Sequence, residues 1–499
     1  MTIDFYEKYT LNSEFILKAD LNRILLVNKR EADHSYCTFI HPVWALILSY
    51  FDGKENLNQT IKTISEATHI PKEVLVCKIE PFVENTQAFC MEYDHQRMWF
   101  PEQIIVKAKG ERSDLDRNSL MIAPPYDFIT RRLHIPLSIM LVLHMKCVTD
   151  CIYCYADKST KHAQMSLEKI LSLIDEAYDS GIKSFDLSGG EIFTFKGWDR
   201  ILKKLYEKGY NPYLSTKVPL TEQEIDRLYE TGARKIQISL DSLDPQLLKE
   251  TLKVPLNYSE KIKNTIIYLS KKGFTIIIKS VLTRTTCTVK NFEQLVKFMK
   301  DVPNIEQYTY TPVGYSHYKS VEDFNAFKPT MDQILDMDEY FEHLRQSTLP
   351  FILRPDTGAV SDDTECCNEH LFYDRSICSG NVYEMVVLPD GQVTICEELY
   401  WNPHFIIGDV TKNSILEVWQ SGKAKSLWKL DQKKFPAESA CRTCDEFEAC
   451  RYNEGVCWKE LMAHYGKENW LYPDSRCPKA PKPLQPVFYD NSFIAGSTN

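Results

Sequence analysis

Apolar and polar positions change rhythm along this chain, and the changes divide it into segments. The runs Phe15-Ile16-Leu17 and Ile24-Leu25-Leu26-Val27 flank the polar turn Asp20-Leu21-Asn22, which predicts a hairpin over 14–28. From His41 to Phe51, Val43, Leu46, Ile47 and Tyr50 share one helical face, with Asp52-Gly53 as the stop. Helices over 57–68 and 72–85 and a strand near 88–93 complete a small winged-helix-like domain, residues 1–95. Residues 96–130 have no clear period and read as a linker.

Residues 134–315 alternate strand and helix signals. Strands are predicted at 135–143, 184–187, 210–215, 235–240, 274–282 and 305–311. A helix over 167–178 follows Ser166 as N-cap, and another opens at Thr221 with Glu224 three residues on. Five βα repeats and a sixth strand predict an α/β fold, a partial (β/α)6 TIM-like barrel over 131–330. In such barrels the chemistry sits at the C-terminal strand ends. Residues 350–480 are Cys-rich with weak periodicity, and 481–499 read as an extended tail.

Composition narrows the function. The 499 residues are 43% hydrophobic and 26% charged, typical of a folded globular protein. No apolar run reaches a membrane span and no signal peptide is evident, so a cytoplasmic protein is expected. With 59 basic against 69 acidic residues, the net charge of −10 disfavours nucleic acid as a partner. Four of the 16 cysteines, Cys37, Cys77, Cys90 and Cys287, are isolated and read as small buried apolar side chains. The other twelve cluster, which points to metal ligation.

Cys147-x3-Cys151-x2-Cys154 follows the first barrel strand directly. Three thiolates at this spacing can bind three irons of a [4Fe–4S] cluster and leave the fourth open. Zinc is the alternative, but it wants a fourth ligand that no nearby Cys or His supplies. The motif, with aromatic Tyr153 before its last cysteine, resembles the radical S-adenosylmethionine (SAM) superfamily. That resemblance implies SAM bound at the open iron and cleaved to a 5′-deoxyadenosyl radical, with Tyr153 near the adenine. By the same resemblance, Gly189, Gly190 and Glu191 match the family's Gly-Gly-Glu, which binds the SAM amino group. Thr216, Ser239 and Asp241, at strand tips, match ribose contacts, and Lys253 matches a cation toward the SAM carboxylate. A capping role is the alternative for Ser239 and Asp241.

The second group, Cys378-x12-Gly391-x4-Cys396, then Cys441-x2-Cys444-x5-Cys450, Cys457 and Cys477, resembles the SPASM extension of peptide-modifying radical SAM enzymes. It departs in the six residues between Cys450 and Cys457, where relatives have three. The resemblance implies two auxiliary [4Fe–4S] clusters. Cys378, Cys396 and Cys457 would hold the first, with Cys366 or Cys367 as a possible fourth ligand. Cys441, Cys444, Cys450 and Cys477 would hold the second. A zinc ribbon is the alternative for Cys441-x2-Cys444. Glu397 matches an acidic residue that some relatives use as proton acceptor beside the substrate.

The N-terminal hairpin and helix resemble the peptide-recognition element of ribosomal peptide maturases, which adds a leader peptide as a strand. A winged helix for oligomer contacts is the alternative. Together the resemblances imply a radical SAM maturase of a ribosomally made precursor peptide, served by an electron donor such as flavodoxin or ferredoxin. The implied product is a thioether between a Cys sulfur and a carbon. Carbon–carbon or carbon–oxygen crosslinking, formylglycine-type oxidation and a non-catalytic iron–sulfur scaffold are the alternatives.

Overall fold

The structure, a computed structural model, describes residues 3–28, 37–110, 116–157, 162–355 and 378–484. The chain divides into two compact units, Met1–His134 and Ile135–Asn499.

The first unit carries β1 (Lys8–Leu11), β2 (Phe15–Ala19), β3 (Ile24–Asn28), β4 (Cys37–Ile40), β5 (Asp52–Asn56), β6 (Phe89–Tyr93), β7 (Gln96–Phe100) and β8 (Ile105–Lys107). They form sheets of order β2-β3-β4, β5-β1-β8 and β6-β7. The expected hairpin is β2–β3, in register from Phe15↔Asn28 to Ala19↔Ile24. The central strand β3 is buried at every position. Helices Pro42–Ser49, Leu57–Thr68 and Lys72–Ile79 pack against a core in which Trp44 stacks on Phe82 at 5.0 Å.

Three expectations are corrected here. Asp52-Gly53 does not end the first helix; Tyr50 caps it and Asp52 opens β5, opposite Thr10 of β1. Asp52 is instead held by Lys54 N at 3.1 Å and Arg117 Nη2 at 3.0 Å. Residues 96–130 are not a plain linker: β7 pairs with β6, and β8 pairs antiparallel with β1. β6 and β7 form a local hairpin across Asp94-His95, whereas β8 finds its partner far back in the chain, in β1, which no local period reveals. Of the isolated cysteines Cys287 is buried, but Cys77 is exposed, because its helix buries Leu75 and Ile79 instead.

The second unit holds β9 (Ser138–Val142), β10 (Ser184–Ser188), β11 (Ser215–Thr216), β12 (Lys235–Ser239), β13 (Thr275–Leu282), β14 (Ile305–Pro312) and β15 (Ile352–Pro355). β16 (Glu384–Val387), β17 (Gln392–Thr394) and β18 (Gly408–Asp409) follow. The sheets run β10-β9-β16-β17-β18 and β11-β12-β13-β14-β15, with β9–β10 and β11 through β15 parallel. This is the partial (β/α) barrel that the alternation predicts, extended by β15 beside β14. Ser166 caps the helix Leu167–Asp179 through Lys169 N, and Thr221 with Glu224 forms a capping box. Ile236, Ile238, Ile276 and Ile278 are fully buried between strands and helices, each contributing about 1.5–3 kcal/mol.

Of the expected 210–215 strand only Ser215 is in a ladder, with Thr216 just beyond it. Tyr213 N donates instead to Asp186 Oδ1 at 2.8 Å, so a side chain bridges β10 and the third strand segment. The Cys-rich segment also contributes to the barrel sheet. β16 runs parallel to β9, Glu384↔Ser138 to Val387↔Leu141, and turns back through β17. Residues Cys366 and Cys367 lie outside the described residues. No helix among the described residues is long and apolar enough to cross a membrane.

Candidate functional site

The loop after β9 carries Cys147, Cys151 and Cys154. Two backbone bonds anchor it to the end of the helix Pro245–Leu252: Asp150 N to Leu252 O and Ile152 N to Thr251 O, both 2.9 Å. Thr149 Oγ1 lies 3.2 Å from Cys147 Sγ and 3.3 Å from Cys151 Sγ. All three cysteines line one cavity of about 610 Å³ at the C-terminal ends of the strands.

Gly189 and Gly190 bring the end of β10 against this loop. A Cβ on Gly190 would stand 2.1 Å from Lys146 O, and one on Gly189 2.7 Å from His144 O. Gly190 N donates to His144 O at 2.7 Å. The glycines therefore permit close packing of two backbones beside the cysteine loop, besides exposing backbone to the cavity. Glu191 is buried and lines the cavity. It accepts from Thr216 Oγ1 at 2.9 Å and from the backbone N of Phe193 and Lys217, each at 3.3 Å. Burial pushes its carboxyl up to about 7 despite these donors.

Tyr153 OH hydrogen-bonds Asp241 Oδ2 and accepts from Lys217 Nζ, which is also 3.2 Å from Asp241 Oδ2. Asp241 is buried beneath, and its Oδ1 accepts from Val281 N at 2.9 Å. Ser239 lines the cavity and accepts from Gln237 Nε2. Lys253 is not brought to this site. It is exposed, at φ 58, as the C-cap of the helix Pro245–Leu252. Lys217, one residue past Thr216, lines the cavity instead. Burial lowers its pKa, but Asp241 and Cys151 outweigh that and raise it, so it stays a cation.

From the Cys-rich segment, Glu397, Glu398 and Lys459 line the same cavity. Glu397 accepts from Ser188 Oγ at 3.2 Å, beside Gly189, and from Tyr155 OH at 3.4 Å. Burial, then Glu398, raises its carboxyl. Lys459 Nζ pairs with Glu398 at 2.7 Å. Sequence reasoning singled out only Glu397; Lys217, Glu398 and Lys459 carry no motif.

The remaining cysteines fall into two sets. Cys441, Cys444, Cys450 and Cys477 line one cavity of about 130 Å³. Cys378 lines another, of about 40 Å³. Burial raises the Cys396 and Cys457 thiols, and the neighbouring Cys378 raises both further. Metal binding has to displace protons from these thiols. Among the described residues, no three His, Cys, Asp or Glu side chains converge as a single ion requires. Cysteines spread around a volume suit a multi-iron cluster better than a mononuclear zinc.

Residues 141–302 match the radical SAM superfamily. The chain carries a radical SAM domain. Residues 378–445 match the SPASM iron–sulfur cluster-binding domain, so the radical SAM domain is followed by an iron–sulfur extension. The chain is similar to the subtilosin biosynthesis protein AlbA of Bacillus subtilis, 22% identical over 307 residues, 60% of this chain and 63% of AlbA. It is also similar to a probable GTP 3',8-cyclase of Methanococcus maripaludis, 25% identical over 173 residues, 34% of this chain and 57% of that protein. The chain thus spans less than two thirds of these relatives' length. Streptococcus suis SuiB, in its S-adenosylmethionine-bound form, superposes with a TM-score of 0.61 at 16% identity, over 94% of this chain and 100% of SuiB. SuiB bound to its precursor peptide SuiA gives 0.59 at 16% identity, over 94% and 100%. At that identity the likeness is one of fold, and it extends beyond the radical SAM domain.

Proposed function

We propose that the chain forms a Cys sulfur-to-carbon thioether in a ribosomally made precursor peptide. Cys147, Cys151 and Cys154 would hold a [4Fe–4S] cluster; reductive cleavage of SAM to a 5′-deoxyadenosyl radical is the chemistry this group supplies when bound. Glu191 accepts the SAM ammonium, while Tyr153, Thr216, Lys217 and Ser239 make the polar wall that orients the rest of SAM, with Asp241 holding Tyr153 and Lys217 in place. Glu397 takes up the proton released as the crosslink closes. Two auxiliary clusters, on Cys378, Cys396 and Cys457 and on Cys441, Cys444, Cys450 and Cys477, bring the total to three. An edge of the β2-β3-β4 sheet binds the leader, and a flavodoxin or ferredoxin supplies electrons.

The observation that carries this reading is the single cavity lined by both the Cys147–Cys154 loop and Glu397, the residue after Cys396. A substrate there faces the site of radical generation and the auxiliary segment together. A peptide substrate is supported by AlbA, a bacteriocin biosynthesis protein, and by SuiB's capture with a precursor peptide. The test is anaerobic turnover of reconstituted enzyme with SAM, a reductant and a candidate precursor. We expect about twelve irons per chain, 5′-deoxyadenosine, and a peptide lighter by two hydrogens with one fewer alkylatable thiol. Absence of 5′-deoxyadenosine would overturn the reading. A crosslinked peptide with its full thiol count would overturn the thioether alone.

A further inference from the structure

Arg451 follows Cys450 directly, in the π-helical turn Ala449–Glu454. It is buried, and it lines both the cavity of Cys441, Cys444, Cys450 and Cys477 and the smaller cavity of Cys378. Its Nη2 donates to Cys441 Sγ at 3.1 Å and to Tyr472 O at 2.6 Å. Its Nε and Nη1 are buried without a partner. Phe435 and Trp458 flank it at 5.2 and 5.5 Å from ring centroid to guanidinium carbon. Among the described residues no carboxylate pairs with it. A buried cation with two idle donors and no counter-anion is strongly unfavourable. Packing on two aromatic rings offsets only part of that cost. It contacts the Cys441 sulfur directly, and the smaller cavity that it also lines holds Cys378.

We infer that Arg451 is the electrostatic bridge between the two auxiliary cluster sites, a positioning residue that raises their reduction potentials. The inference rests on the proposed auxiliary clusters. Reduction adds negative charge to a thiolate-bound cluster. A neighbouring cation and N–H···S bonds stabilise that reduced form more than the oxidised one. Because one guanidinium walls both cavities, one residue biases both sites, most strongly the Cys441 set that it already contacts.

The test is a redox titration of anaerobically reconstituted full-length enzyme, followed by electron paramagnetic resonance with iron counted in parallel. The chain with Cys147, Cys151 and Cys154 replaced by Ala identifies the third cluster's signal. At fixed poise, Arg451→Met should raise the oxidised-to-reduced ratio of the Cys441-set cluster by about tenfold, a 59 mV fall for a one-electron couple. Arg451→Lys, which keeps the charge and loses the fork, should fall between it and wild type. Full iron with unchanged potentials in Arg451→Met would overturn the inference. If Arg451→Met fails to hold auxiliary iron, Arg451→Lys decides: full iron with a smaller downward shift supports it, and lost iron or no shift overturns it. Wild-type chain holding only about four irons would instead overturn the auxiliary-cluster reading itself.

Discussion

Replacing Gly190 by Ala perturbs the site without removing any functional group. The new methyl carbon would stand 2.1 Å from Lys146 O, 2.5 Å from Lys146 C and 2.7 Å from Met145 C. Ordinary contact begins near 3.4 Å, so one backbone must yield by more than about 1 Å, and no flexible side chain is available to absorb it. The atom that moves is one residue from Cys147, and Gly190 N also loses its 2.7 Å bond to His144 O. Overpacking of this kind costs about 1–3 kcal/mol and lowers Tm by a few degrees. The larger effect is on geometry: a displacement of about 1 Å beside the cysteine loop lowers SAM cleavage about 10²-fold. The assay pairs thermal unfolding with anaerobic quantification of 5′-deoxyadenosine. Gly314→Ala is the control, since Gly314 lines the same cavity and its added carbon meets nothing within 4 Å. Wild-type Tm and SAM cleavage in Gly190→Ala would refute the close-packing argument.

Three further outcomes are expected. Only ionised Glu191 accepts an ammonium, and burial holds its carboxyl at about 7, so SAM affinity should rise about tenfold from pH 6 to pH 8. Calorimetry on Glu191→Gln should show no such rise. In the ligand-free chain the sign is opposite: the raised carboxyl favours folding most below its ordinary 4.5, and that contribution is lost as pH rises through about 7. Deleting residues 1–134, the whole first unit, should weaken precursor binding at least about 10²-fold while peptide-independent SAM cleavage survives; unchanged affinity sinks the leader assignment. Cys378→Ala should keep SAM cleavage and abolish the two-hydrogen loss from the peptide, with Glu397→Gln slowing it about 10²-fold. Normal crosslinking by a Cys378→Ala protein lacking one cluster would show that this site is not needed.

The contrast between Lys253 and Lys217 shows where sequence reading stops. Both follow the tip of an element, and only the resemblance favoured Lys253. The backbone places them differently: Lys253 takes an exposed left-handed helix cap, and Lys217 turns in over Tyr153 at 4.7 Å. Glu398 and Lys459 are likewise ordinary surface residues by sequence. They become cavity walls because the Cys-rich segment adds β16 to β9 and carries them over the strand ends.

What the sequence determined by itself was whatever is covalently contiguous. The alternation of strand and helix, the Cys147–Cys154 spacing and the Gly189-Gly190-Glu191 run each lie within a few residues, so their geometry follows from local backbone rules. Tertiary structure alone decided which distant groups converge. It split the third strand from the second, tied β8 back to β1, and set Glu397 against Ser188 across 209 residues. It also placed Arg451 on the walls of two cavities, one with Cys441, Cys444, Cys450 and Cys477 and a smaller one with Cys378. Such convergence depends on how strand ends and loops pack in three dimensions, and no local period or spacing encodes it.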